Sequence, residues 1–260
     1  MKTRQARGLL VLVAIVSALL CWELAGRRSR VVRLMLSHPS LVARYAKTQH
    51  RSLVRAVATT AFESTAGLAL ACSVAGLLAL SCLYVPSLYR VFLPPVLASQ
   101  VIPLVTLAPF FILLFGIGVT SKIAMAALLC FFPIFLAIWT GMRSIPRQIH
   151  EFLTVYGATR GFRIRHVYVP MALPSILAGI RVAALLSVIG AVVAEFNGAE
   201  WGLGKNLYLA AKRLEPELMV LSLVGTSIIA AGLYAFVDLV ERRSCRWYLG
   251  NNRSAFEFGE

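Results

Sequence analysis

The residues most suited to a specific chemical role lie in one polar stretch, Glu151 to Pro174, between apolar segments in the second half of the chain. Gly157 follows Glu151 by six residues, and Pro170 follows Gly157 by thirteen. Basic side chains cluster between the glycine and the proline: Arg160, Arg163, Arg165 and His166. The pattern predicts a helix, a break at the glycine and a second helix that a proline ends. A short helix at such a break can protrude from a bundle and bind in a groove of another protein.

Such a helix would bind another protein and would not catalyse a reaction, and the sequence contains no recognisable catalytic motif. It has no catalytic triad, no glycine-rich nucleotide-binding loop and no metal motif. Four of the five cysteines lie within apolar segments without metal-ligand spacing, so we interpret them as small apolar residues. The sequence therefore predicts a chain that is not an enzyme, with no cofactor or metal of its own. Any ATP that its function needs must be bound by another chain.

The elements that position the polar stretch belong to an integral membrane protein. Hydrophobic residues make up 59% of the 260 residues and charged residues only 14%, and the mean hydropathy is +0.78. Soluble domains are roughly half apolar and a quarter charged. The net charge of +15 does not by itself indicate nucleic-acid binding, because the basic residues lie between apolar segments, where they meet anionic lipid headgroups.

Six apolar segments are candidates for membrane spans. They cover residues 8–25, 57–85, 100–115, 121–142, 175–196 and 217–240. The first lacks the small residues of a signal-peptide cleavage site, so we expect a retained helix. Pro103 and Pro109 interrupt the third span, which is tolerated where freed backbone carbonyls face protein or a cavity. Between the second and third spans, Pro94 and Pro95 are expected to prevent one continuous helix.

Residues 27–55 carry eight basic side chains and no acid. Apolar residues at 31–36 favour a short amphipathic helix on the membrane surface, and a second short helix is expected from Leu41 into the next span. A solvated charged linker is the alternative interpretation of this segment.

The polar stretch resembles the EAA loop of ABC-transporter permeases, in which a glutamate, a glycine six residues later and a hydrophobic-x-hydrophobic-proline close recur. Here these are Glu151, Gly157 and Val167–Pro170. Phe152 and Leu153 occupy the positions of the family's two alanines, so the first triplet departs from the pattern. For this stretch taken alone, an ordinary basic cytoplasmic loop is the alternative.

Further blocks, in family order between Val57 and Arg246, are similar to the nitrate/sulfonate/taurine/bicarbonate branch of the binding-protein-dependent permeases. They are residues 102–118 with 121–123, 131–134, 190–198 and 202–204. One position departs from the family. Glu63 lies four residues before Gly67, where the family usually has a basic residue, and this puts any charge pairing assumed there in doubt.

The resemblance implies an all-α polytopic membrane protein with about six transmembrane helices and the type I ABC importer permease (MetI-like) fold. It divides the chain into an N-terminal transmembrane helix with a basic linker, residues 1–56, and a permease domain, residues 57–260. A cytoplasmic coupling loop covers residues 151–170. The chain is then expected in the cell inner (plasma) membrane with both termini cytoplasmic, although basic residues are divided almost evenly between the two sides.

The resemblance also implies partners. Two permease copies, expected to be a homodimer in membrane lipid, form the translocation path, and a dimer of ATP-binding cassette subunits binds ATP and Mg and hydrolyses the ATP. An extracytoplasmic substrate-binding protein delivers the solute, and no nucleic acid is involved. The residues expected to couple to the ATPase are Glu151, Thr154, Gly157, Ala158 and Arg160. Gly157 allows the bend between two short helices, and Glu151 favours the N-terminus of the first; a simple N-terminal charge is the alternative role for Glu151.

A row of small residues in the fifth span predicts close packing against a neighbouring helix or the second permease copy. The row is Gly179, Ala183, Ser187 and Ala191. Glu195 continues it, and an acid near a span end needs water, a cation or helix-terminal donors. We expect Glu195 to shape the outer gate or the dock for the binding protein; an ion pair that serves stability is the alternative. The residues assigned to the translocation path or gate are Pro103, Pro109, Ser187, Glu195 and Asn197.

The expected solute is small: nitrate, a sulfonate, taurine, bicarbonate or a vitamin precursor, with most of the specificity in the binding protein. An ion-coupled secondary transporter or channel subunit is the alternative. That class favours intramembrane acids paired across an internal repeat, and the sequence shows no clear repeat. A membrane scaffold without transport activity gives no reason for the glycine-bent loop.

Overall fold

The computed structural model of the protein describes residues 13, 14, 16–18, 20–25, 27, 28 and 37–245. These residues form helices and the turns between them, and the described part contains no strand. The expected first span is helical at its described positions, while the amphipathic helix expected at 31–36 lies outside the described residues. The prediction of an all-α protein is confirmed.

Within residues 37–245, ten α-helices follow one another. They are α1 (Pro39–Thr48), α2 (His50–Tyr84), α3 (Pro86–Val101), α4 (Leu104–Phe115), α5 (Val119–Arg143), α6 (Arg147–Val155), α7 (Arg160–Arg163), α8 (Val169–Asn197), α9 (Leu203–Arg213) and α10 (Pro216–Ser244). A π-helical segment, Ile164–Tyr168, joins α7 to α8. Helices α1, α3 and α10 each begin with a proline, whose missing N–H has no role in the first turn.

Four helical stretches are long and apolar enough to cross a membrane: α2, α5, Arg160–Asn197 and α10. They correspond to the second, fourth, fifth and sixth expected spans. The third expected span, residues 100–115, falls on the end of α3 and on α4, whose apolar part is Thr106–Phe115. A further short apolar helix, Ser87–Ala98, lies before that span. The polytopic membrane fold is therefore confirmed, and the count of six spans is approximate.

The helix α3 corrects one expectation, because it continues through Pro94 and Pro95. The two prolines remove the donors that would reach the carbonyls of Arg90 and Val91, and both of those residues are exposed. A helix tolerates such losses where the freed carbonyls find other partners. The break occurs instead at Ile102, which is extended (φ −72°, ψ 125°). A residue before a proline disfavours the helical conformation, and Pro103 follows.

Small residues allow α2 and α8 to approach α5 closely. A Cβ at Gly67 of α2 would lie 2.5 Å from the Ala126 Cβ of α5, and a Cβ at Gly190 of α8 would lie 2.8 Å from the Ala126 Cα. A Cβ at Gly179 would overlap Ala137. The close packing predicted for the fifth span is therefore found, and at these glycines the neighbour is a helix of the same chain.

Helix α1 lies where a second short helix was expected from Leu41 into the next span, but it ends at Thr48, before α2 begins at His50. It packs on α10. The Ser37 hydroxyl donates to a Glu217 carboxylate oxygen at 2.7 Å, and the Tyr45 hydroxyl donates to Glu215 at 3.4 Å. Burial raises the pKa of the Tyr45 phenol, and the nearby Glu215 carboxylate raises it further. Part of the basic segment is thus ordered against the start of α10 and is not a solvated linker.

The bundle has two distinct ends. The polar stretch lies beside the end of α2, where Leu83 and Tyr84 share a cavity with His150 and Tyr168. At the other end, the start of α5 faces Arg55 and Trp201 across a second cavity. We call these the loop end and the opposite end.

Candidate functional site

The polar stretch begins earlier than the sequence suggested. Helix α6 starts at Arg147, after the extended Pro146 (φ −57°, ψ 140°), and its first turn contains no acid. The expectation that Glu151 lies at a helix N-terminus is therefore wrong, because Pro146 sets the helix start four residues before it. Glu151 forms an exposed ion pair with Arg147 at 2.9 Å, and such pairs contribute little to stability.

Helix α6 ends in a Schellman motif at Gly157, where the sequence predicted a break. Gly157 adopts φ +67°. Its N–H donates to the Thr154 carbonyl at 3.1 Å, and the Ala158 N–H donates to the Leu153 carbonyl at 3.0 Å. These two bonds satisfy carbonyls that the helix end leaves free, and the left-handed position favours glycine because a Cβ there is strained. Three of the predicted coupling residues, Thr154, Gly157 and Ala158, thus form one cap.

Arg163, which the sequence marked only as one of a basic cluster, ties the second half of the stretch back to the first, and Thr159, which sequence reasoning missed, caps the next helix. The Arg163 guanidinium donates to the Ala158 carbonyl at 2.7 Å and to the Thr154 hydroxyl at 3.0 Å. Thr159 caps α7 by accepting from the Phe162 N–H at 3.4 Å. Arg160 is the first residue of α7 and is exposed. A threonine before a short helix was the available signal for this cap, whereas the link from Arg163 depends on the folded bend.

The tip of the stretch presents apolar side chains to the exterior. Val155 is 84% exposed and Tyr156 is 74% exposed. The ring centroids of Phe152 and Tyr156 are 4.5 Å apart. Leu153 is buried beneath them. An apolar tip on a capped, internally bonded turn is the arrangement of a helix that binds in a partner's groove. The signal was the group of apolar residues within an otherwise polar loop.

Glu195 is buried at the opposite end, where three helices meet. It accepts from the Thr60 hydroxyl of α2 and from the Gly204 N–H of α9, both at 2.6 Å. Thr60 in turn accepts from the Leu203 N–H at 2.9 Å. Gly202 is needed because a Cβ there would overlap the Glu195 carboxylate. The helix-terminal donors that an acid at this position requires are therefore supplied by the start of α9.

A second acid and a lysine lie beside this joint. Glu63 lies beside Glu195, and its Oε2 atom is buried without a hydrogen-bond partner among the described residues. Lys122 interacts electrostatically with both carboxyl groups. The Lys122 ammonium donates to the carbonyls of Ile117 and Gly118. All three charged side chains are about 1% exposed. No described residue forms an ion pair with Glu195 within the salt-bridge distance of 4.0 Å.

Glu63 and Lys122 line a cavity of about 360 Å³ at the opposite end, together with Arg55, Glu200 and Trp201. The Arg55 guanidinium lies 3.9 Å from the centre of the Trp201 ring. The cavity therefore combines two basic groups, two acids and an aromatic ring. Sequence reasoning noted Glu63 as a departure and missed Lys122 and Thr60, which nothing local marks as partners of Glu195.

The other residues assigned to the path are not brought together. Ser187 is buried and donates to the Ala184 carbonyl at 2.8 Å. Asn197 is exposed and donates to the Val193 carbonyl at 2.8 Å, within its own helix. Pro103 and Pro109 are exposed on the α3–α4 region. Their role in a path or gate stays a prediction.

Comparison with known proteins gives consistent results. Residues 67–246 match a family described as the binding-protein-dependent transport system inner membrane component. The riboflavin transport system permease protein RibX of Chloroflexus aurantiacus is 41% identical over 156 residues, which cover 60% of this chain and 58% of RibX. The formylaminopyrimidine transport permease protein ThiX of Halalkalibacterium halodurans is 37% identical over 183 residues, 70% of this chain and 73% of ThiX. Permeases named for aliphatic sulfonates and for taurine also match.

A solved structure shows the same fold. It is titled as inward-facing conformations of the MetNI methionine ABC transporter, and it has a TM-score of 0.68 at 22% identity. The match covers 76% of this chain and 98% of that chain. The expected MetI-like fold is confirmed.

Proposed function

Because the chain belongs to the family of binding-protein-dependent transport system inner membrane components, as its loop and span motifs predicted, we propose that it forms the translocation path of an ATP-driven importer. The observation that carries the proposal is the capped turn of α6 at the loop end, which presents Val155 and Tyr156 outward. The family membership disfavours the alternative of an ion-coupled secondary transporter or channel.

The coupling role belongs to the turn as a unit. The apolar tip enters a groove of an ATP-binding subunit, and Thr154, Gly157 and Ala158 hold its shape. Glu151 and Arg160 flank the tip as charged contacts. ATP and Mg are bound by that partner, and movement of the turn is transmitted to α8 through the continuous helical stretch Arg160–Asn197.

The joint at Glu195 is proposed to act in the outer gate. It connects α2, α8 and α9 through hydrogen bonds to one carboxylate. Any opening at this end must keep these bonds or exchange them together, which suits a two-state element. The paired Glu63 and the nearby Lys122 place further charge where a gate would meet water.

The assembly follows from this role. Two copies of the permease, an ATPase dimer and an extracytoplasmic binding protein form the importer in the inner membrane. The loop end is then cytoplasmic, and so are both termini. The proposed boundary between the N-terminal linker and the permease domain, at residue 56, falls inside α2 (His50–Tyr84). The linker would therefore continue directly into the first helix of the permease domain.

Among the expected solutes, the vitamin precursors have the stronger support. The relatives that are 41% and 37% identical are named for riboflavin and formylaminopyrimidine transport. The mixed charge and aromatic ring of the cavity at the opposite end suit a polar heterocycle better than a simple inorganic anion. We propose a small nitrogen heterocycle of this kind as the solute.

The test is uptake into proteoliposomes that contain the permease, its ATPase and ATP inside, with binding protein outside. We expect accumulation of labelled formylaminopyrimidine or riboflavin that requires all three proteins and ATP. Accumulation of taurine instead would overturn the solute and leave the importer intact. Uptake by the permease alone, driven by an ion gradient, would overturn the importer.

A further inference from the structure

Two adjoining cavities at the loop end form one basic cleft. The larger, of about 550 Å³, is lined by Arg143 and Arg147, and the smaller, of about 290 Å³, by Arg160 and Arg163. His150 and Tyr168 line both cavities, and the Tyr168 hydroxyl is 2.6 Å from His150 Nδ1. We use the name basic cleft for these two cavities together.

The charge of the basic cleft is unbalanced. Its lining contains four arginines and a histidine and no acidic residue. Arg147 is paired with Glu151 outside the lining, while Arg143, Arg160 and Arg163 form no ion pair with a described carboxylate. The cavity at the opposite end contains two acids beside its two basic residues. The basic cleft is therefore suited to an anion that the chain does not itself supply.

The floor of the basic cleft is apolar and is made by the ends of membrane spans. Leu83, Trp139 and Met142 lie there, close to the last residues of α2 and α5. Where two apolar spans end, a bilayer changes from hydrocarbon to headgroup. An apolar floor below a cationic rim at this depth matches a molecule with acyl chains and an anionic head.

One arginine of the rim is held in place by aromatic rings. The Arg143 guanidinium lies 4.9 Å from the centre of the Trp139 ring and 6.0 Å from that of Tyr89. The two rings are stacked, with centroids 3.8 Å apart. Stacking on aromatic faces leaves the edge of a guanidinium free to donate to another group, and a phosphate accepts such donors in pairs.

We infer that the basic cleft binds the phosphate headgroup of an anionic phospholipid, with the acyl chains lying along the ends of α2 and α5. Basic pockets between membrane helices are known sites for anionic headgroups. The tip residues Val155 and Tyr156 line neither cavity of the cleft. Of the residues proposed to contact the ATPase, only Arg160 lines the cleft, in its smaller cavity, so a partner that receives the tip leaves the larger cavity beside Arg143 to the lipid headgroup. A lipid there would brace the turn against the bundle.

The experiment is native mass spectrometry of the full chain released from bilayers with equal phosphatidylglycerol and phosphatidylcholine. We expect the parent protein to retain phosphatidylglycerol preferentially. Arg143→Gln should lower the retained ratio of the two lipids about fivefold, which is the effect of one basic residue at a membrane surface. Arg143→Lys should fall between, because it keeps the charge but loses the paired donors. Arg90→Gln is the matched control, since Arg90 is exposed on α3 and lines neither cavity.

Three results would overturn the inference. The parent could retain the two lipids equally, or Arg143→Gln and Arg90→Gln could lower the ratio alike, which would indicate general surface charge. Arg143→Gln could also keep the lipid ratio and lose ATPase binding instead, which would make the cleft a protein contact. The monodispersity of each variant in detergent checks that it is folded. The comparison of the two lipids retained by the parent protein tests the inference without any variant. None of these readouts depends on transport, so they are independent of the importer proposal.

Discussion

Replacing Gly157 with valine should impair coupling through backbone strain alone. Gly157 has φ +67°, and a Cβ built there meets no atom within 4 Å, so the substitution creates no clash. The cost is that of a non-glycine residue in the left-handed region, about 1–2 kcal/mol, and it is higher for a β-branched side chain. A cost of about 2 kcal/mol changes a two-state population by about thirtyfold. The ratio of the capped turn to other conformations should therefore fall by about thirtyfold.

The assay is ATP-dependent uptake in proteoliposomes, with the yield of permease in the membrane measured in parallel. We expect Gly157→Val to lower uptake by about tenfold or more and to leave the yield nearly unchanged, since the turn is exposed. Gly157→Asn should retain most activity, because asparagine tolerates the left-handed region. Gly161→Val is the matched control: Gly161 also has no atom within 4 Å of a built Cβ and lies in α7 without a positive φ. Equal uptake by Gly157→Val and the parent would refute the argument from strain.

Three further predictions concern the opposite end and the orientation. Glu195→Gln keeps the shape of the side chain but presents at most one acceptor oxygen, so we expect the protein to lose about 1–3 kcal/mol of stability. The yield of the assembled importer should stay normal, while the stimulation of ATP hydrolysis by the binding protein should change. Lost assembly without a separate transport defect would favour a purely structural role. Gly204→Ala places a methyl group against the Val192 carbonyl and Glu195 and should lower the thermal midpoint in detergent, whereas Gly76→Ala, with open space around it, should not; equal midpoints would contradict the close packing. Single cysteines at Arg165 and Lys205 in a cysteine-free background should label from opposite sides of the membrane, and labelling of both from one side would contradict the topology.

The turn at the loop end was predictable because its determinants are local. A glycine six residues after an acid predicted the bend, and the left-handed Gly157 occupies it. The start of α6 was not predicted: Glu151 was expected at a helix N-terminus, whereas Pro146 determines where the helix begins. The prediction for α3 was wrong in the opposite way: Pro94 and Pro95 predicted a break, but the helix continues through both prolines. Local signals therefore predicted the existence of elements better than their ends.

The joint around Glu195 could be predicted only in part. The cost of a buried acid indicated that donors must be present, and the structure supplies them from the N-terminal turn of α9. The hydroxyl of Thr60 is 135 residues away in sequence, so only the packing of α2 beside α8 brings it near. Glu63 and Lys122 meet for the same reason. Partners that depend on the packing of distant helices have no signal in a single sequence.

Contact between the tip and an ATPase tests the central claim most directly. In an otherwise cysteine-free permease, the Val155→Cys variant carries its thiol at a position that is 84% exposed in the isolated chain. In the assembled importer, we predict that a short bifunctional reagent joins this thiol to the ATP-binding subunit, and that a hydrophilic maleimide no longer reaches it. Full reaction with the maleimide in a complex that still transports, without a cross-link to the ATPase, would contradict the account.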